Sequence, residues 1–234
     1  MQHKFTPQTR MSHLIDEDAT LLSTISRFGI SFGFGDKTII EACEANKIDT
    51  GTFLSVVNFI TEGNIETVET VNNISIETVI NYLKSGHSYF LAYKLPSIRQ
   101  KLLEAVDSSD QSISYKQVFV RFFDEYVDEV RKHMEYEDRT VFPYVMQLLE
   151  GKKNTKYRIS VFEEHHTDVD SKLAELKNIL IKYYPSKGNN YLLNEVLFDL
   201  YACEKDLATH NRIEDCFFVP VIEAIEQKLI DSHE

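Results

Sequence analysis

Apolar residues recur at alternating spacings of three and four through the C-terminal two thirds of the chain, the signature of helices that bury one face. From Leu193 the stripe runs through Val196, Leu200, Cys203 and Leu207, and Phe217 and Val221 resume its phase. The two stripe positions in between hold His210 and Glu214. An earlier stretch repeats the arrangement: Phe119, Phe123, Tyr126 and Val130 lead into His133 and Glu137, after which Val141, Tyr144 and Leu148 restore the apolar face. A buried polar group without a partner costs about 1–3 kcal/mol and an isolated charge more, so these interruptions call for something that binds them.

Aligned on their histidines, the two segments read HMEYEDRTVFP and HNRIEDCFFVP. Each has His, three residues, Glu-Asp, and then a proline, Pro143 or Pro220, at the same offset. The core reads as duplicated.

Two further helices carry histidine on their apolar stripe. In one, Ile76, Ile80 and Leu83 lead to His87, with Phe90 and Leu91 beyond it, a kink expected at Pro96, and a continuation through Ile98 and Leu102 toward Val106. In the other, Ile159, Phe162, His166, Val169, Leu173, Leu176 and Leu180 share a face, and His165 falls beside it near Arg158, Asp168 and Lys172. Four long helices joined by Asp107–Ser114, Lys152–Thr155 and Pro185–Gly188 predict an all-α, up-down-up-down four-helix bundle over residues 75–234.

Residues 1–65 read as a small helical N-terminal domain and 66–74 as an acidic, polar linker. In the small domain the first ten residues are expected to be loose, and Ser12–Phe28 to form one helix with His13 on its surface. Gly29, Gly33 and Gly35 mark a turn. Asp36 is the expected cap of a helix to Ala45, and Asp49 or Thr50 that of another carrying Phe53, Leu54, Val57 and Ile60. With no preceding strand and no Gly-Lys-Ser/Thr ending, the glycines are a structural turn and not a phosphate loop.

Composition narrows the function. With 37 acidic against 25 basic residues the net charge is -12, which repels nucleic acids and anionic membranes. No apolar run approaches the roughly 20 residues of a membrane span, and no leader-like core opens the chain. Cys43, Cys203 and Cys216 are widely spaced and odd in number, which points to a reducing, cytoplasmic compartment.

Six inward residues therefore converge: His87, His133, Glu137, His166, His210 and Glu214. One inward histidine is usually a hydrogen-bonded core residue, but four of them with a repeated H-x3-ED-x4-P frame read as metal ligands. Structural zinc favours cysteine. Two carboxylates and four imidazoles suit two non-haem irons, oxo- and carboxylate-bridged, with histidines terminal and an open position for O2, NO or peroxide. Asp138 and Asp215 lie off the stripe, facing solvent or supporting a ligand, and Tyr126 and Tyr144 are core residues within possible reach of the metals.

In HMEYEDRTVFP, ISVFEEHH and HNRIEDCFFVP the chain resembles the hemerythrin-like di-iron bundles, and among them the repair-of-iron-centres family, in which a small helical domain precedes the bundle. RFGISFGFGDKTIIEACEANKID carries the N-terminal part of the resemblance, although Gly33 and Phe34 occupy the positions where that family commonly has a vicinal cysteine pair. The resemblance implies metal ligation by His133, Glu137, His166, His210 and Glu214. Counting back from Pro96 would place the first-helix ligand at Ser88, whereas inward phase selects His87. A further family histidine is missing near Ser109, where Asp107, Asp110 or water would have to substitute, and this leaves one or two metals open. The implied role is repair of iron-sulfur clusters or response to nitrosative and oxidative stress, with iron-sulfur proteins as partners. The alternatives are an O2/NO sensor signalling through the N-terminal domain and an interaction protein whose site has decayed.

Overall fold

The structure is a computed structural model that describes residues 4–63, 74–107, 113–152, 157–163, 169–184 and 190–231. Among them there is no β-strand, only an isolated bridge between Arg10 and Thr38. The chain groups into two compact units, one of Met1–Gly86, Gly151–Lys153 and Arg212–Glu234 and the other of His87–Glu150 and Asn154–Asn211.

The first unit begins with α1 (Met11–Glu17), α2 (Leu21–Arg27), α3 (Ile39–Asn46) and α4 (Thr50–Glu62). The single helix expected over Ser12–Phe28 is broken because Asp18 is extended and its carboxylate accepts from the Thr20 amide at 2.8 Å and hydroxyl at 2.7 Å, which starts α2 afresh. A Schellman turn closes α2: Ile30 N–H bonds Ile25 O and Gly29 N–H bonds Ser26 O, with Gly29 at φ 79°, a left-handed conformation that glycine adopts without strain.

Helix α3 is capped by Thr38 and not by Asp36. Its hydroxyl accepts from Glu41 N–H while Glu41 accepts from Thr38 N–H, a complete capping box. Asp49 caps α4 through the Thr52 amide. Burial in α4 centres on Phe53, Val56, Val57 and Phe59, while Leu54 and Ile60 are half-buried.

The opening residues, expected to be loose, are held from Lys4 onward. Phe5 is buried, and the Asn58 amide grips its backbone in both directions, accepting from Phe5 N–H at 2.9 Å and donating to Phe5 O at 3.1 Å. Pro7 O and Thr9 O accept from Ile40 and Ile39 N–H at the start of α3. Of the expected linker, residues 66–73 lie outside the described residues.

The bundle is built of four helical rods; the second unit holds their greater part, while the residues up to Gly86 of the first rod and from Arg212 of the last belong to the first unit. Rod A consists of α5 (Ile76–Tyr89), a π-turn π1 (Phe90–Lys94) and α6 (Leu95–Asp107); rod B of α7 (Ile113–Tyr136), π2 (Glu137–Val141) and α8 (Phe142–Leu149). Rod C shows α9 (Ser160–Glu163) and α10 (Val169–Tyr183), and rod D runs through α11 (Tyr191–Ile213), π3 (Glu214–Phe218) and α12 (Val219–Asp231). The stripes read from the sequence are buried, including Phe119, Phe123, Tyr126 and Val130 on B, Leu173, Leu176 and Leu180 on C, and Val196, Leu200 and Cys203 on D.

Ion pairs fix the order of the rods. Arg99 forks onto Asp124 at 2.7 and 2.9 Å, joining A to B. Asp199 takes Lys94 at 2.7 Å and Lys101 at 2.6 Å, joining A to D. Lys172 pairs with Glu129 between C and B, and Lys177 with Glu204 between C and D. A and C are therefore diagonal, and each rod lies between two neighbours, the arrangement short connections impose on an alternating bundle.

Each π-turn has a sequence cause. Residues 90–94, 137–141 and 214–218 are each followed by one residue and then by Pro96, Pro143 or Pro220. A proline supplies no N–H to the carbonyl four back and its ring crowds that carbonyl. The residue before it reaches one further, so that Leu95, Phe142 and Val219 donate to Phe90 O, Glu137 O and Glu214 O.

Candidate metal centre

Rod A delivers His87. Val79, Ile80 and Leu83 carry the buried phase of α5 to this position, where His87 is 2% exposed and Ser88 is exposed. The one-residue offset found on counting back from Pro96 has a local account: π1 lies between His87 and the proline and houses an extra residue in its wider turn.

Rod B brings His133 in the last turn of α7 and Glu137 as the first residue of π2. Glu137 is fully buried, and its two oxygens face different histidines: Oε1 lies 3.0 Å from His133 Nε2 and Oε2 2.9 Å from His87 Nε2. Asp138, next in sequence, lies 3.1 Å through Oδ1 from the other nitrogen of His87, Nδ1.

Rod D contributes His210, 1% exposed, and Glu214, fully buried, four residues apart on a continuous helical backbone. Ligand atoms of His87, Glu137, His210 and Glu214 all fall within 4.8 Å of one another. Aromatic rings wall the group. Phe142 stacks on His87 at 5.6 Å and 18°, Phe162 on His133 at 6.4 Å and 11°, and Phe90 meets His210 edge-on at 6.0 Å. The His87 and His210 rings are 5.1 Å apart.

Placing two carboxylates at zero exposure removes hydration worth several kcal/mol per ion even after relaxation. The nearby groups are imidazoles, which carry positive charge only when protonated, so a multivalent cation among them balances the site best. The donor set, carboxylate oxygen and imidazole nitrogen with no thiolate, fits iron better than a structural zinc site. Iron's chemistry and the residues present are in agreement.

The structure thus brings together His87, His133, Glu137, His210 and Glu214. His166, its neighbour His165 and Ser109 lie outside the described residues. Tyr144 lies edge-on to Tyr157 at 4.8 Å and Tyr126 beside Phe123 at 6.3 Å. Asp138, off the apolar stripe, reaches His87 nonetheless, and the signal for it was the repeated Glu-Asp pair. Cys43 in the small unit is fully buried, and burial, opposed by a hydrogen bond from Thr50, pushes its thiol up to about 11, which removes it from thiolate chemistry.

No helix of the described residues is long and apolar enough to cross a membrane. A family model described as the hemerythrin HHE cation binding domain matches residues 78–222, which span rods A to D and every candidate ligand. No curated protein matches the chain.

Proposed function

The chain belongs to the hemerythrin HHE cation-binding domain family, and on that premise we propose that it is a cytosolic non-haem di-iron protein acting in repair of iron-sulfur clusters or in the response to nitrosative and oxidative stress. His87, His133, Glu137, His166, His210 and Glu214 are the ligands in this reading. The observation that carries it is the buried group of His87, Glu137, His210 and Glu214 with ligand atoms inside 4.8 Å, flanked by His133.

Iron in this place would supply redox chemistry and an open position for O2, NO or peroxide. The chain's own residues do the rest. Glu137 addresses two histidines at once, so its two oxygens would hold metal together with either of them, and Phe90, Phe142 and Phe162 exclude water from the imidazole faces.

Protein purified and reconstituted anaerobically with ferrous iron is expected to hold two irons per chain and to restore an iron-sulfur enzyme damaged by NO. Failure to bind iron would overturn the metal reading. Binding without restoration would remove the repair role and leave a sensor.

The sensor reading has its own support. The π-turn that begins with Glu214 continues to Phe217, which packs against Phe59 of α4. A change at Glu214 has a short mechanical route to the small helices, and iron-sulfur proteins or a signalling partner would receive it there.

A further inference from the structure

We propose that Asp138 is a positioning residue for the metal centre, holding His87 in the Nδ1–H tautomer so that Nε2 is presented as a ligand. The inference rests on the metal-binding reading above and adds to it a residue that binds no metal.

Consecutive carboxylates of one helix address opposite edges of one imidazole. Glu137 Oε2 is 2.9 Å from His87 Nε2, and Asp138 Oδ1 is 3.1 Å from Nδ1. In an α-helix successive side chains diverge by about 100°. Here the pair opens the π-turn Glu137–Val141, and His87 enters from rod A between the two carboxylates. Phe142, the residue whose N–H closes that turn on Glu137 O, covers the face of the same ring. Three side chains of one irregular turn thus define the position of a histidine on another rod.

A neutral imidazole has one N–H and one lone pair. A carboxylate accepting at Nδ1 fixes the proton there and leaves the Nε2 lone pair directed toward Glu137 and the ligand group, while raising the basicity of that nitrogen. The two ends of the contact differ in exposure, with His87 at 2% and Asp138 at 39%. Asp138 therefore supports the ligand from the solvent edge without adding a third charge to the buried group.

The test uses the full-length protein and three measurements: anaerobic ferrous-iron affinity by chelator competition, the Nδ1–H resonance of His87 in the zinc-loaded, diamagnetic form, and the melting temperature of the metal-free form. Asp138→Ala is expected to weaken iron binding roughly 10- to 100-fold, as loss of a carboxylate behind a metal-bound histidine generally does, and to remove the protected Nδ1 proton while leaving the metal-free melting temperature nearly unchanged. Asp138→Asn keeps an acceptor oxygen and is expected to recover most of the affinity and the resonance. If Asp138→Ala binds iron as tightly as the wild type, or if both variants lose stability and metal together with no rescue by Asn, the positioning role is overturned. A wild-type protein that binds neither iron nor zinc overturns the metal reading itself, a separate result.

Discussion

Phe217, three residues beyond Glu214 in the same π-turn, meets Phe59 of α4 edge-on at 5.1 Å and 84°. Arg212, two residues before Glu214, lies over the other partner of that contact, its guanidinium 4.7 Å from the Phe59 ring, and donates to Gly63 O just past the end of α4 at 3.2 Å. The backbone that carries a candidate ligand is therefore gripped on both sides by α4, which belongs to the same compact unit. Phe59 is 2% exposed, so Phe59→Ala removes a fully packed ring and should cost about 3–5 kcal/mol, read as a lower urea midpoint. In the wild type, amide exchange along α4 should slow when iron is added. No change there would end the sensor reading.

The buried carboxylates make a second prediction. Glu137 and Glu214 have no exposed surface, and a charge held there is costly when the metal is absent. Replacing Glu137 together with the two histidines it faces, His87 and His133, by Leu is expected to abolish high-affinity iron binding and at the same time to raise the metal-free stability by about 1–4 kcal/mol, the range seen when a whole buried ionic group gives way to apolar packing. Denaturation with and without chelator checks both halves. A variant that is less stable without metal, at unchanged iron affinity, would show the three to be structural residues.

The bundle was legible because its helices bury one stripe each, and stripes with a period near 3.6 survive in the sequence as spacings of three and four. His87, His133 and His210 were legible for the same reason, since each takes a place the period reserves for Leu. Periodicity reads average geometry and misses single events. The break at Asp18 depends on one side chain capping its own backbone, and the burial of Phe5 depends on one distant amide, Asn58. The π-turns were hidden because a phase slip of one residue looks like noise in a stripe. Pro96, Pro143 and Pro220 were the visible trace, read only as a kink and a repeat. For Asp138 the stripe left two places, facing solvent or supporting a ligand, and only the neighbouring rod, which brings His87 to it, decides between them.

Acid should expose the ion-pair ring around the bundle. Partial burial alone would raise the Asp199 carboxyl, but hydrogen bonds from Lys101 and Lys94 outweigh it and hold it below the ordinary aspartate value. A depressed folded value means that the stabilisation is present above the unfolded value, near pH 4, and is lost as pH falls through the folded one. Asp199→Asn should therefore cost about 1–3 kcal/mol at neutral pH, as the loss of a charged hydrogen-bond acceptor between two lysines does. The gap between variant and wild type should close below about pH 4. A gap that persists undiminished in acid would assign it to packing.

Pro143 separates stability from site geometry. Inside a helix a proline generally costs about 3 kcal/mol or more, yet here it enforces the i→i−5 bond from Phe142 N–H to Glu137 O that opens the turn bearing Glu137 and Asp138. Pro143→Ala restores a donor and removes the ring from the carbonyl four residues back, which allows rod B to close as an uninterrupted α-helix. The metal-free protein should then be as stable as the wild type or more so, by up to about 3 kcal/mol. Straightening turns Glu137, Asp138 and Phe142 away from the three sides of His87 they now occupy, so iron affinity should fall. Thermal melts of the metal-free form and anaerobic iron titration measure the two effects independently. Retained affinity together with a raised melting temperature would mean that the π-turn survives without its proline, and the cause assigned to all three turns would be wrong.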